Sequence, residues 1–234
     1  YIMDKQCRCI AISKFLQNHF QSKGIQTVNI PIVVTPEDIC TDKKLQADKV
    51  VFTYAGQPGK KDYLHVMLEA FLLLPEELRR QAVFRIVGCT QQQMIASGIQ
   101  EEVLNRLAPQ LVIHGRVSRD AVLDLLKETD FTMLMRSAEQ RYAKAGFPTK
   151  VVESLSRSTP VICNLTSDLK DYLTDGQDAL IVDACSAEAL KVQLERAIIM
   201  SKAQRMDMCN HAAKTAENRF LYTNFTQQMQ TVLN

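Results

Sequence analysis

The sequence predicts an α/β fold, a Rossmann-like parallel sheet of about six strands with helices on both faces. Three observations carry that expectation. From about residue 50 onward, short β-branched or aromatic runs alternate with amphipathic runs of helical period, as buried parallel strands and their crossover helices do. Gly56, Gly88 and Gly115 each directly follow one of the apolar runs, where a tight turn or a ligand's close approach requires a missing side chain. Ser118 and Ser186 stand ahead of two helical patterns as N-caps,. In such sheets ligands sit at the carboxyl ends of the strands.

Taken in order, residues 12–20 read as a helix with Phe15, Leu16 and Phe20 on one side, Ser13 as its cap and Gly24 beyond its end,. Residues 28–33 read as a short strand, and the polar stretch 41–49 as a linker. Strands are then expected at 50–55, 83–87, 111–114, 131–135, 160–163 and 179–182,. Helices are expected at 63–74, where Leu64, Met67, Leu68, Phe71 and Leu72 recur at three- and four-residue spacing, and at 118–128 and 186–200,. A final helix at 218–233 carries Phe220, Phe225, Met229 and Leu233.

Composition narrows the function classes. The 234 residues are 46% hydrophobic and 23% charged, with a net charge of +2. That charge is too small to imply nucleic acid or a strongly anionic membrane surface. The seven cysteines are odd in number and mostly isolated, which suits a reducing cytosol better than a disulfide framework. Cys7 and Cys9 are closer in sequence than common zinc ligands,, and no metal site is expected. No apolar run approaches the roughly 18 residues of a membrane span. Asp4, Lys5 and Arg8 interrupt any secretory leader, and the chain opens on Tyr1 rather than Met, so it reads as a fragment. Histidines 19, 65, 114 and 211 show no metal-ligand spacing, and no GxGxxG is present, which disfavours a dinucleotide oxidoreductase.

Four short segments carry chemistry. The most informative is Ala145-Gly146-Phe147-Pro148-Thr149-Lys150-Val151-Val152-Glu153. It joins a glycine turn to a helix start whose free N–H groups can hold a diphosphate. Gly146, Phe147 and Thr149 are assigned to that anion, and Glu153 can reach two hydroxyls of a ribose. Lys150 and Glu153 share a helix face, so a surface ion pair between them is the alternative. Next, Gly56-Gln57-Pro58-Gly59-Lys60-Lys61-Asp62 follows the first main strand. Its lysines either hold a phosphate or are simply solvated. It is not a Walker loop. His114-Gly115-Arg116-Val117 follows the third strand; its backbone can read a nucleobase edge, unless Arg116 is an ordinary surface arginine. Arg136, after the fourth strand, is either a pocket residue or the partner of Glu139 or another acid.

The order and spacing of these parts resemble the C-terminal, donor-binding half of a retaining glycosyltransferase of the GT-B fold, group 1 or family four. The Gly146 to Ile162 block is the most specific part of a likeness covering about residues 10–232. The resemblance implies that the Gly56 loop and Lys61 hold the donor diphosphate; Gln57 and Lys60 are assigned to the same site, and Lys61 is assigned to the leaving group. It implies that Glu153 binds the ribose and that Arg116 and Val117 lie by the base, with Arg136 and Lys150 elsewhere in the pocket. Two positions depart from the family: its first glutamate falls on Ala145, and its loop arginine falls on Gln57, a loss that Lys60 is expected to offset. The domains expected are a crossover helix, strand and linker at 1–45, the donor-binding unit at 46–217 and a returning helix at 218–234.

By that likeness the donor is a UDP- or GDP-linked sugar, the reaction is retaining hexosyl transfer without metal or other cofactor, and the acceptor is a glycan or lipid-linked sugar in surface polysaccharide assembly. The fragment alone is expected to be inactive, and the full enzyme cytoplasmic or peripheral at the inner membrane face. The rival readings are a nucleotide-sugar epimerase and a non-catalytic nucleotide-binding or assembly module.

Overall fold

A computed structural model describes residues 7–57, 59 and 61–233. The chain opens with β1 (Arg8–Ala11), α1 (Lys14–Gln21) and β2 (Gln26–Asn29), and β1 and β2 pair in parallel as a small sheet of their own. After a coil come β3 (Val50–Ala55), α2 (Leu64–Leu73), α3 (Glu76–Arg79), β4 (Ala82–Val87), α4 (Gln91–Ala96), α5 (Glu101–Leu107) and β5 (Leu111–Ile113). The chain continues through α6 (Arg119–Lys127), β6 (Phe131–Leu134), α7 (Arg141–Ala145), α8 (Thr149–Ser156), β7 (Val161–Asn164) and β8 (Ala179–Val182). It closes with α9 (Ala187–Ile199), α10 (Lys202–Phe220) and α11 (Thr226–Leu233).

The main sheet has six parallel strands in the order β5-β4-β3-β6-β7-β8. Because side chains alternate along a strand, each strand feeds two cores. Phe52, Tyr54, Phe84, Ile86 and Phe131 face α2, α5 and α9, and Phe71 of α2 stacks on Phe84 with ring centroids 4.7 Å apart. Leu134, Val161 and Cys163 face the opposite way, against α8 and α10. The sheet is therefore covered on both sides, which is why its strands carry apolar residues at successive positions.

One buried ion pair ties this framework together. Arg205 of α10 donates from Nε to Asp130 Oδ1 at 2.7 Å, and from its two terminal nitrogens to the carbonyls of Met200 and Gln46, both at 2.9 Å. Asp130 Oδ2 accepts the Val51 N–H at 2.8 Å. The linker, β3, β6 and α10 thus meet at one satisfied charge pair.

The six expected strands all form, within one residue of the sequence reading at each end. Ser13, Ser118 and Ser186 each accept a backbone N–H three residues on, as N-caps do,. Three expectations need correction. The strand read at 28–33 is β2 at Gln26–Asn29, and its partner β1 was not read at all, because Arg8, Cys9 and Ile10 remain partly or wholly exposed. The helix read at 218–233 is interrupted: α10 ends at Phe220, Leu221 is extended and bridges Val34, and α11 begins only at Thr226. Most of α10 was missed because it buries small residues (Ala212, Ala213, Ala216) rather than a stripe of large ones.

Candidate functional site

In the strand order, the chain runs outward from β3 through β4 to β5, then returns across α6 to β6 and runs outward the other way. The carboxyl ends of β3 and β6 flank this reversal, where a doubly wound sheet leaves a crevice for a ligand. Three glycine turns build one side of it. Gly56 donates its N–H to the Val87 carbonyl at 2.8 Å, and Gly88 donates to the Gly115 carbonyl at 2.6 Å. Gly88 has φ +105°, and a Cβ there would lie 2.8 Å from the Gly56 carbonyl oxygen. A side chain at 88 is therefore excluded both by backbone conformation and by contact.

The other side is charged. Asp62, only 7% exposed, accepts from Arg136 Nε at 2.8 Å and pairs through its second oxygen with Lys150 Nζ. The Tyr54 hydroxyl donates to that second oxygen at 3.2 Å, and Lys150 Nζ lies 4.6 Å from the Tyr54 ring centroid, a cation–π distance. Asn164 clamps the Arg136 backbone, accepting its N–H at 3.0 Å and donating to its carbonyl at 2.7 Å. Burial pushes the Asp62 carboxyl up, but Lys150 and Arg136 outweigh it and hold the group below the usual carboxylate range,. Burial pushes the Lys150 ammonium down, opposed by Asp62.

Beneath this edge lies a cavity of about 310 Å³ between the sheet and two helices. Ala55, Val87, Thr132 and Leu134 line it from the strands, Val122 and Leu126 from α6, and Val151 and Ser154 from α8. Its hydroxyls are already engaged: Thr132 and Ser154 bond each other at 2.5 Å, and Ser154 donates to the Thr159 carbonyl at 2.7 Å. The interior is therefore effectively apolar, suited to the flat face of a ring rather than to a charged group. At the carboxyl edge the cavity meets Gly56, Gly88, Val117, Lys150 and Glu153, and Arg119 lines it from the start of α6.

The sequence-predicted residues are distributed unevenly around this cavity. Gly56, Val117, Lys150 and Glu153 line it. Glu153 is exposed, and its carboxylate has no hydrogen-bond or ion-pair partner among the described residues. The Lys150–Glu153 pair allowed by their spacing does not form, since Lys150 turns to Asp62. Arg136 likewise takes Asp62 rather than Glu139. Thr149 is exposed at the first turn of α8, while the Phe147 side chain is buried against Tyr172 and Phe220, so only its backbone is available to a ligand. Gly146 closes α7, donating its N–H to Tyr142. Pro148 precedes the first turn of α8 as its N-cap.

Lys61, Gln57 and Arg116 are exposed and stand outside the cavity lining; the Lys61 ammonium lies 5.9 Å from the centre of the Tyr142 ring. Lys60 lies outside the described residues. Sequence reasoning passed over Asp62 and Tyr54 as site residues. Asp62 carried a signal, an acid directly after two lysines in a glycine loop, but nothing local shows that its partners lie 74 and 88 residues away.

A family model described as glycosyl transferases group 1 matches residues 37–219. The chain belongs to this family. Several solved structures share its fold. Sucrose-phosphate synthase from Thermosynechococcus elongatus is 17% identical with a TM-score of 0.76, over 96% of this chain and 57% of its own. Alr3699/HepE from Anabaena, solved with UDP and glucose, is 17% identical with a TM-score of 0.71, over 96% and 62%. WaaG, a glycosyltransferase involved in lipopolysaccharide biosynthesis, is 16% identical with a TM-score of 0.70, over 95% and 62%. The chain thus spans about three-fifths of the length of each of these structures. No curated protein matches it by sequence. The group 1 likeness, carried chiefly by the Gly146 to Ile162 block, and the α/β fold read from the alternation of strands and helices are both upheld. Among the described residues no helix is long and apolar enough to cross a membrane.

Proposed function

We propose that this group 1 chain is the donor-binding half of a glycosyltransferase that moves a hexose from a UDP- or GDP-linked sugar to a glycan or lipid-linked acceptor. One observation carries the reading. The unpaired Glu153 carboxylate, the first turn of α8 and the Gly56 turn converge on the mouth of an apolar cavity at the sheet's topological reversal. A nucleoside diphosphate has matching parts in the same order. Its base fits the apolar interior beside Val117, its ribose hydroxyls reach Glu153, and its phosphates meet free N–H groups at the α8 start.

The chemistry follows from charge. Breaking the bond between sugar and diphosphate builds negative charge on the leaving phosphate, and fixed dipoles and cations at that point lower the barrier. Lys61 and the α8 start are assigned that role, Lys60 is assigned to the same diphosphate, and Arg116 to the base rim. Ala145 offers the sugar no hydrogen bond through its methyl side chain, so sugar selection falls to other groups. Retention of configuration, transfer without a metal, a place in surface polysaccharide assembly and a cytoplasmic or membrane-peripheral location belong to the same proposal, and the family likeness is what supports them. The structure of Alr3699/HepE solved with UDP-glucose supports a nucleotide-sugar donor.

Calorimetry with UDP and GDP on the wild type and Glu153→Ala tests the reading. The expected result is binding of one nucleotide by the wild type and a loss of about tenfold or more in the variant, the worth of a charge-assisted hydrogen bond. A wild type that gives no heat with UDP and none with GDP contradicts it and favours a module without a donor site.

A further inference from the structure

Lys150 lines the cavity at its carboxyl edge, whereas Lys61 stands outside the lining. We propose that Lys150, held by Asp62, binds the donor diphosphate directly. The inference rests on the donor-site reading above and adds a residue and a charge to it.

Four observations converge on Lys150. It lines the cavity at the carboxyl edge together with Gly56 and Glu153. A Cβ built on Gly56 would run into Lys150 Nζ, and would lie 2.8 Å from the Tyr54 hydroxyl. The absence of a side chain at 56 is thus what lets the ammonium sit against the turn. Lys150 is also the second residue of α8, so its charge and the N–H groups of that first turn address the same point,.

The fourth observation is the balance of charge. Arg136 and Lys150 bring two positive charges to one carboxylate, leaving the cluster one positive charge in excess. An ammonium carries three N–H donors. Asp62 Oδ2 takes one, and the Tyr54 ring faces the group from below. With the Lys150 side chain still 31% exposed, donor capacity remains for a ligand oxygen. Asp62 is buried and fully engaged, so its part is to fix the ammonium in place. By contrast Gln57, in the turn itself, is neutral, and the Lys61 ammonium is drawn toward Tyr142.

The test compares the 234-residue wild type with Lys150→Met and Lys150→Gln. Methionine keeps an unbranched stem over Tyr54, and in both variants Asp62 keeps its bond to Arg136, so no buried carboxylate is orphaned. Calorimetry with UDP and GDP identifies the nucleotide that binds, and nuclear magnetic resonance titration follows the matching nucleoside, uridine or guanosine. Cooperative melting establishes which variant is folded, and that variant is read. The expected result is a loss of roughly tenfold or more in nucleoside diphosphate affinity, with nucleoside affinity unchanged within twofold. Diphosphate affinity within twofold of wild type, or equal losses for diphosphate and nucleoside, overturns the assignment of Lys150. A wild type that binds neither diphosphate is a different result: it overturns the donor site itself, and this inference with it.

Discussion

Lys150 and Glu153 stand three positions apart on α8, yet the lysine turns inward to Asp62 and leaves the glutamate unpaired at the mouth of the cavity. Spacing alone favours pairing them across the helix surface. The competing partner wins because Asp62 is buried, and a buried carboxylate gains far more from a cation than an exposed one does. The consequence is one acid with no structural duty at the place where a ribose would sit.

That separation of duties gives the first prediction. Glu153→Gln leaves the free energy of unfolding in denaturant unchanged, within about 0.5 kcal/mol, as for surface substitutions that break no contact. The same change weakens UDP or GDP binding by about tenfold or more. A large loss of stability in this variant would show that Glu153 has a structural partner after all.

Asp62 behaves in the opposite way. Asp62→Asn leaves Arg136 and Lys150 facing each other without their counter-ion. Breaking one side of a buried pair costs about 3–5 kcal/mol, and the partial exposure of Lys150 reduces this to about 2–3 kcal/mol. The sign of its pH dependence follows from a carboxyl held below its ordinary value. Such a group stabilises the fold above its unfolded pKa of about 3.9 and loses that contribution as pH falls through the folded value. The stability gap between wild type and Asp62→Asn, measured by urea unfolding, is expected to be level from about pH 8 to about pH 5 and to narrow below about pH 4.

Two glycines of similar backbone separate strain from contact. Gly88 and Gly98 have φ of +105° and +101°, but a Cβ at 88 would press on the Gly56 carbonyl while one at 98 meets nothing within 4 Å. Gly98→Ala is expected to cost about 1 kcal/mol from backbone conformation alone. Gly88→Ala costs more, about 2–3 kcal/mol, and also weakens nucleotide binding by shifting the Gly56 turn. Equal stability losses for the two variants would remove the contact argument.

Most of the fold was legible because the strands of the main sheet are buried on both faces and so appear as apolar runs whatever their neighbours are. Val50–Ala55 and Ala179–Val182 could be bounded to the residue for that reason. β1 was hidden because it belongs to a two-stranded sheet, with Ile10 still 43% exposed. α10 was hidden because alanines mark its buried face. Of the site, the glycine turns and the α8 start were legible as local patterns. The Asp62 cluster was not, since it depends on β3 and β6 being neighbours, a matter of strand order rather than sequence pattern. Phe147 shows the reverse failure: it sits in the informative motif, yet its ring belongs to the core with Tyr172 and Phe220.

The framework makes a prediction independent of the site. Arg205→Met removes every bond from α10 to Asp130, Met200 and Gln46 and leaves a buried carboxylate beside β3. Its expected cost is about 3–5 kcal/mol in urea unfolding, with nucleotide affinity preserved wherever the variant remains folded.

A crystal of this chain grown with UDP or GDP decides where the donor lies. The base is expected in the apolar cavity beside Val117, the ribose hydroxyls on the Glu153 carboxylate, and the phosphates at the first turn of α8 within hydrogen-bonding distance of Lys150. A nucleotide bound away from the carboxyl ends of β3 and β6, or one whose phosphates face away from α8, contradicts that placement.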